Sequence, residues 1–172
     1  MSSDINQPLV KEPEGTYFIH FQDCDALQHL NNARYFDYFL NAREEHTARY
    51  YNLNLIEQAR RLQAQWVITN HQIAYLKPAD HGHRVIIQTR LIHFDNSSLV
   101  IECVMLNEKR SHLKALLWTT MRFVSFQTGK VTDHPDELMD LLEQLDVAEI
   151  DYEPDGFSAR VKQVNRLVRQ DH

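Results

Sequence analysis

Between residues 67 and 124 the apolar residues recur with a period of two, in four successive runs. Val67, Thr69, His71, Ile73 and Tyr75 make the first run, and Val85, Ile87, Thr89 and Leu91 the second. Val100, Glu102, Val104 and Leu106 make the third, and Leu116, Trp118, Thr120, Arg122 and Val124 the fourth. That period is the mark of strands with two distinct faces. Breakers at Pro78 to Gly82, Asp95 to Ser98 and Asn107 to Ser111 separate the runs. Connections this short join antiparallel neighbours. Upstream, Tyr35, Phe36, Phe39, Leu40 and Ala42 recur at helical spacing, which predicts a helix of about 17 to 20 residues from Asn31. One long helix followed by four strands predicts an α+β fold, an antiparallel sheet wrapped around a buried central helix.

The remaining elements fit around that unit. Tyr17-Phe18-Ile19-His20-Phe21 reads as a first strand near 15 to 22, and Leu55 to Leu62 as a second helical piece. Asp133-His134-Pro135-Asp136-Glu137, followed by Leu138, Leu141, Leu142 and Leu145, reads as a helix start with acidic residues in its first turn. Tyr152-Glu153-Pro154-Asp155-Gly156 is a break. Beyond it Phe157, Val161, Val164, Leu167 and Val168 return at helical spacing among Arg160, Lys162, Arg166 and Arg169, an amphipathic basic helix expected to pack on its own domain. The chain thus divides into an arm over 1–13 with breakers at Pro8 and Pro13, a domain over 14–146, and an extension over 147–172 with additional C-terminal helices.

With 172 residues, 43% hydrophobic and 24% charged, the chain can bury one core. A net charge of −6 disfavours nucleic acid as a partner, and an anionic substrate would require a local basic patch. No apolar run reaches the roughly 20 residues of a membrane span, so stable membrane insertion is not expected. The start Met1-Ser2-Ser3-Asp4-Ile5 lacks the regions of a secretory signal, so the expected location is cytoplasmic. Two cysteines, Cys24 and Cys103, make no disulfide framework.

The densest chemistry lies in Asp23-Cys24-Asp25-Ala26-Leu27-Gln28-His29-Leu30-Asn31-Asn32-Ala33-Arg34-Tyr35, at the junction of the first strand and the long helix. Asn31 or Asn32 suits the N-cap. Free N–H groups at a helix start favour negative charge and can polarise a carbonyl, and a carboxylate such as Asp25 beside them could attack that carbonyl or activate water. Cys24 between two aspartates reads as a small inert residue. Asp23, Asp25, His29 and His20 carry metal-ligating atoms, but their spacing matches no strong zinc motif, and His81 and His83 flanking Gly82 read as a polar turn. No Gly-x-Ser-x-Gly elbow is present.

This junction resembles the signature of hot-dog-fold thioesterases, in particular the 4-hydroxybenzoyl-CoA thioesterase-like group. The pattern there is Asp-x-Asp, then Gly-His-x-Asn-Asn, then a Tyr and a helix, here with Asn41-Ala42-Arg43. Ile73-Ala74-Tyr75-Leu76-Lys77-Pro78-Ala79 with Gly82, and Asp95-Asn96-Ser97-Ser98-Leu99, are similar to later segments of the family, so the resemblance spans roughly 14 to 146. Gln28 stands where the family has Gly, and His83 where Asp is common. The resemblance implies hydrolysis of an acyl-CoA to free acid and CoA, without a cofactor. It implies Asp25, His29 and Asn32 as the catalytic set, with the Asn32 backbone N–H facing the thioester oxygen and Asp23 setting the turn. It further implies Asn31, Tyr35, Lys77, Ser97 and Ser98 as substrate-binding residues, and a homodimer or homotetramer with the site between subunits. Lys77, Arg84 and Arg90 are candidates for CoA phosphates. Hydratase or dehydratase chemistry also occurs on this fold, but the Gly-Asp-x-Asn-Pro and His-Phe-Pro patterns are missing. A non-catalytic acyl-thioester binder is the alternative from another class.

Overall fold

The computed structural model describes residues 9–170. Five strands, β1 (Glu14–Phe18), β2 (Ala64–Tyr75), β3 (Arg84–Phe94), β4 (Ser98–Asn107) and β5 (Leu113–Ser125), form one sheet in the order β1-β3-β4-β5-β2. Every pairing is antiparallel. The helices are α1 (Arg34–Tyr51), α2 (Leu55–Leu62), α3 (Asp136–Leu145) and α4 (Phe157–Gln170). Strands β3, β4 and β5 follow one another through hairpins, whereas the α1–α2 segment carries the chain from the β1 edge to the β2 edge.

The predicted helix begins three residues later than Asn31 and runs for 18 residues. Tyr35, Phe39, Ala42 and His46 recur at spacings of four and three, so one stripe of α1 is buried. It packs with Val85, Ile87, Leu91, Ile101, Cys103, Met105 and Leu117 on the inner face of the sheet. Asn52 ends the helix at φ +50°, and the Asn54 side chain accepts from the N–H groups of Ile56 and Glu57 to start α2.

Alternation holds along β4 and through most of β3 and β5, which carry register shifts near Ile92 and Lys114, and it has a second consequence. Ile86, Ile92, Val100, Val104, Leu106, Leu116 and Trp118 form an apolar outer face, and Phe157, Val161, Val164 and Val168 of α4 cover it. The sheet is therefore buried on both sides, and β4 is buried along nearly its whole length. In β2 the simple alternation fails. A bulge between Ile68 and Asn70 inserts one residue, so Trp66 shares the inner face with Ile73 while Val67 and Ile68 are each 39% exposed. The end of the arm is also more engaged than its composition suggests: Pro13 accepts from Thr89 N–H, Lys11 reaches the carbonyl of Asp146, and Glu12 pairs with Arg90. Residues 1–8 of the arm lie outside the described residues.

Buried between α4 and the outer face is Glu102, fully inaccessible. Its carboxylate accepts from Trp118 Nε1 at 2.9 Å, Arg90 Nε at 2.9 Å, and Arg160 Nε and Nη2 at 2.9 and 2.8 Å. Burial pushes this carboxyl up, but the hydrogen bonds and charges of Arg160 and Arg90 outweigh it and hold the group below its ordinary range.

Candidate active site

The Asp-x-Asp run is folded into a tight hairpin between β1 and α1. Asp25 N–H donates to His29 O at 2.8 Å, Asn31 N–H to Asp23 O at 2.9 Å, and Gln28 N–H closes the turn onto Asp25 O at 3.0 Å. Gln28 takes φ +61°, the left-handed position that a three-residue hairpin loop requires. The geometry that glycine supplies most easily is thus adopted here by glutamine, at a cost of about 1 kcal/mol. A second segment clamps the hairpin from outside: Leu30 N–H donates to Ala79 O at 2.8 Å and His81 N–H to Gln28 O at 2.9 Å.

Within the hairpin, Asp25 Oδ1 accepts from Leu27 N–H at 2.8 Å and His29 N–H at 3.2 Å. One oxygen is thereby fixed, and Oδ2 has no partner among the described residues. His29 Nε2 lies 3.5 Å from Asp80 Oδ1. Asp23 is held locally, its Oδ2 2.9 Å from the Tyr38 hydroxyl, which also accepts from His20 N–H. Cys24 Sγ donates to His20 O, and burial with the charges of Asp23 and Asp25 raises its thiol, which disfavours a thiolate nucleophile.

Neither asparagine caps α1 in the simple sense expected. The cap residue is Ala33, which offers no side-chain bond, and Asn31 caps the preceding turn, with Oδ1 on Ala33 N–H at 3.0 Å and its carbonyl on Arg34 N–H at 2.8 Å. Leu30, Asn31, Ala33 and Arg34 all have partners for their N–H groups, whereas Asn32 N–H has none among the described residues. Its carbonyl accepts from the Tyr75 hydroxyl at 2.9 Å. Tyr75 therefore ties the end of β2 to the start of α1, and its ring meets Tyr35 edge to face at 5.0 Å.

Not every expected residue joins this site. Tyr35 is 2% exposed and its hydroxyl accepts from Ala79 N–H at 3.2 Å, so it braces the Ala79 segment from the core instead of presenting a surface to substrate. Arg90 is drawn to Glu102 and Glu12 on the outer face, away from any phosphate at the motif. Ser97 in the β3–β4 turn and Ser98 at the start of β4 are bound to Asp95, at the opposite end of β3 from the motif. Eleven residues of strand separate those ends, about 33 Å. Lys77 is exposed beside Tyr75, at the motif end. Asp80 and Tyr75 join the site although neither is among the residues the sequence points to. Asp80 gives no sign in sequence beyond its place near the Gly82 turn, since only the fold sets it against His29.

Among the described residues no three His, Cys, Asp or Glu side chains gather as a metal-binding group, and no helix is long and apolar enough to cross a membrane. The five-stranded antiparallel sheet with α1 packed on its inner face, and the hairpin at the start of that helix, define the hot-dog class of thioester hydrolases. The thioesterase-like superfamily matches residues 19–142, and the chain belongs to it. No curated protein shows significant similarity in sequence. Among solved structures, the YbaW probable thioesterase of Escherichia coli is 23% identical with a TM-score of 0.68, over 77% of this chain and 97% of that one. A 1,4-dihydroxy-2-naphthoyl-CoA thioesterase from Synechocystis is 11% identical with a TM-score of 0.69, over 81% of this chain and 99% of that one. A 12:0-ACP thioesterase from Umbellularia californica is 11% identical with a TM-score of 0.75, over 84% of this chain and 54% of that one. These likenesses establish the fold.

Proposed function

We propose that the protein hydrolyses acyl-CoA thioesters to free acid and CoA, with Asp25 as the reacting carboxylate and Asn32 N–H as the donor to the thioester oxygen. The observation that carries this reading is the unpartnered Asn32 N–H at the start of α1, in the same small hairpin as a carboxylate with one fixed and one free oxygen. As a general base, Asp25 takes a proton from water while the water oxygen bonds to the acyl carbon. Negative charge gathers on the carbonyl oxygen, where the N–H and the dipole of α1 stabilise it. Collapse breaks the C–S bond, and the thiolate recovers the proton from Asp25. As a nucleophile, Asp25 instead attacks the acyl carbon, the C–S bond breaks and CoA leaves as the thiolate; water then opens the acyl anhydride to free acid and the Asp25 carboxylate, and the proton released goes to the thiolate. His29, directed by Asp80, orients water or substrate in either route.

The working unit is a homodimer. Strand β2 is an edge 12 residues long with Val67 and Ile68 exposed, the kind of edge that natural sheets cover. A twofold pairing of β2 edges would lay the Ser97–Ser98 end of one subunit beside the motif end of the other, which would give those serines access to substrate. The setting is cytoplasmic, in keeping with two unpaired cysteines.

Asp25→Asn tests the reading cleanly. Asn keeps an Oδ1 that can accept from Leu27 and His29, so the hairpin is retained, but it cannot take a proton. Turnover of acyl-CoA is expected to fall by on the order of 100-fold or more with unchanged circular dichroism. A folded variant with near-normal kcat would remove Asp25 from the chemistry. A wild-type protein that binds acyl-CoA without hydrolysing it would favour the binding-protein alternative.

A further inference from the structure

The two clefts flanking the motif differ in charge. One, of ≈ 430 Å³, is lined by Tyr17, Phe18, His20, Gln22, Asp23, Asp37, Tyr38 and Asn41, with two aspartates and neither lysine nor arginine. The other, of ≈ 360 Å³, runs from Asp80 along the start of β3 to the β4–β5 turn and includes His83, Arg84, Lys109 and Lys114 against Asp80 and Glu108. Asp80 joins this second cleft to the motif, because it faces His29 on one side and His83 and Lys114, at 3.6 and 3.7 Å, on the other. Lys114 Nζ is fixed by Pro78 O at 2.6 Å. Arg84 and Lys109 have no acidic partner among the described residues, and the Arg84 guanidinium lies over the Phe18 ring at 6.0 Å.

We infer that this cleft receives the phosphate-bearing nucleotide end of CoA, with Arg84 and Lys109 as its principal contacts and Lys114 as a fixed supporting charge. The inference rests on the thioesterase reading above and gives it a direction: the acyl carbon lies at the hairpin and the carrier leaves past Asp80. A chain of net charge −6 repels a polyanion at long range, so such a ligand must enter where the local sign is reversed. The acidic cleft on the other side of the motif cannot serve. The size of the basic cleft suits a small nucleotide, and its cations lie on two separate elements, the start of β3 and the β4–β5 turn, where they can straddle one.

The experiment compares CoA with pantetheine, which lacks the phosphates, by titration calorimetry on the wild type and on the Arg84→Glu, Lys109→Glu double variant. CoA affinity is expected to fall by about tenfold or more at low salt, with pantetheine binding unmoved. The KM for acyl-CoA should rise in parallel, with kcat held within about twofold. Lys162→Glu with Arg166→Glu, on the exposed side of α4, makes the same change in net charge and should leave CoA binding intact. CoA affinity unaltered in the first variant, or lowered equally in both, would overturn the inference. CoA binding that responds as expected without any acyl-CoA hydrolysis would instead leave the cleft standing and sink the thioesterase reading.

Discussion

Replacing Arg160 by Met isolates what α4 contributes through its buried charge. Arg160 supplies two of the four donors to Glu102, one to each carboxylate oxygen, while Arg90 and Trp118 supply the others. Methionine keeps much of the apolar stem but leaves a fully buried carboxylate half-partnered. Breaking a buried pair from one side costs about 3–5 kcal/mol, and because Arg90 remains the lower end applies, about 3 kcal/mol. For a chain of this size that lowers Tm by roughly 6–12 °C. The sign with pH is also fixed. In the wild type the carboxyl is held below its ordinary value, so its stabilising contribution is present above the unfolded pKa and lost as pH falls. In the variant burial dominates, protonation relieves the stranded charge, and the deficit against wild type shrinks on acidification. Adding Glu102→Leu to Arg160→Met removes the stranded carboxylate but leaves Trp118 Nε1–H without its acceptor and Arg90 with Glu12 alone, so only part of the loss should return. Thermal melts followed by circular dichroism at neutral and mildly acidic pH measure all three proteins. A Tm within about 2 °C of wild type at neutral pH, or a deficit that grows on acidification, would refute the reasoning.

His46 is 1% exposed with Nδ1 2.8 Å from Thr89 Oγ1, and burial, helped by the charges of Arg43 and Arg49 against those of Glu45 and Glu14, lowers its pKa to about 4. The unfolded chain therefore binds a proton that the folded one refuses, and stability should fall by about 3 kcal/mol as pH drops from about 6.5 to 4; denaturant titrations that show the same slope in His46→Gln would contradict this. Gln28→Gly should raise stability by about 1 kcal/mol, read as a higher urea midpoint, because the residue sits at φ +61°. Light scattering at assay concentration should report a dimer, and an active monomer would end the proposal that the site lies between subunits.

Much of this architecture is written locally in the sequence. The stripe Tyr35, Phe39 and Ala42, the alternation through most of β3 to β5, the Asp95–Ser98 turn, the piece Leu55–Leu62 and the amphipathic run after Gly156 are all legible, because helix period, strand period and turn chemistry act over a few residues. The run from Asp23 to Asn32 is legible as a junction between the first strand and the long helix, whereas the hairpin it folds into, clamped by Ala79 and His81, is not. Tertiary structure alone decided what crosses long separations. The bulge at Ile68 to Asn70 depends on the partner strand β5, and it moved Trp66 to the inner face. Asp80 and Tyr75 reach the motif from more than 40 residues away because β2 ends, and β3 begins, beside the start of α1. Arg90, one of several similar surface-looking arginines in the sequence, faces Glu102 through the β3–β4 register, and α4 adds Arg160 to the same carboxylate as it covers the outer face. A residue's chemistry is fixed by its side chain, but its partners are fixed by packing, and packing is a property of the whole chain.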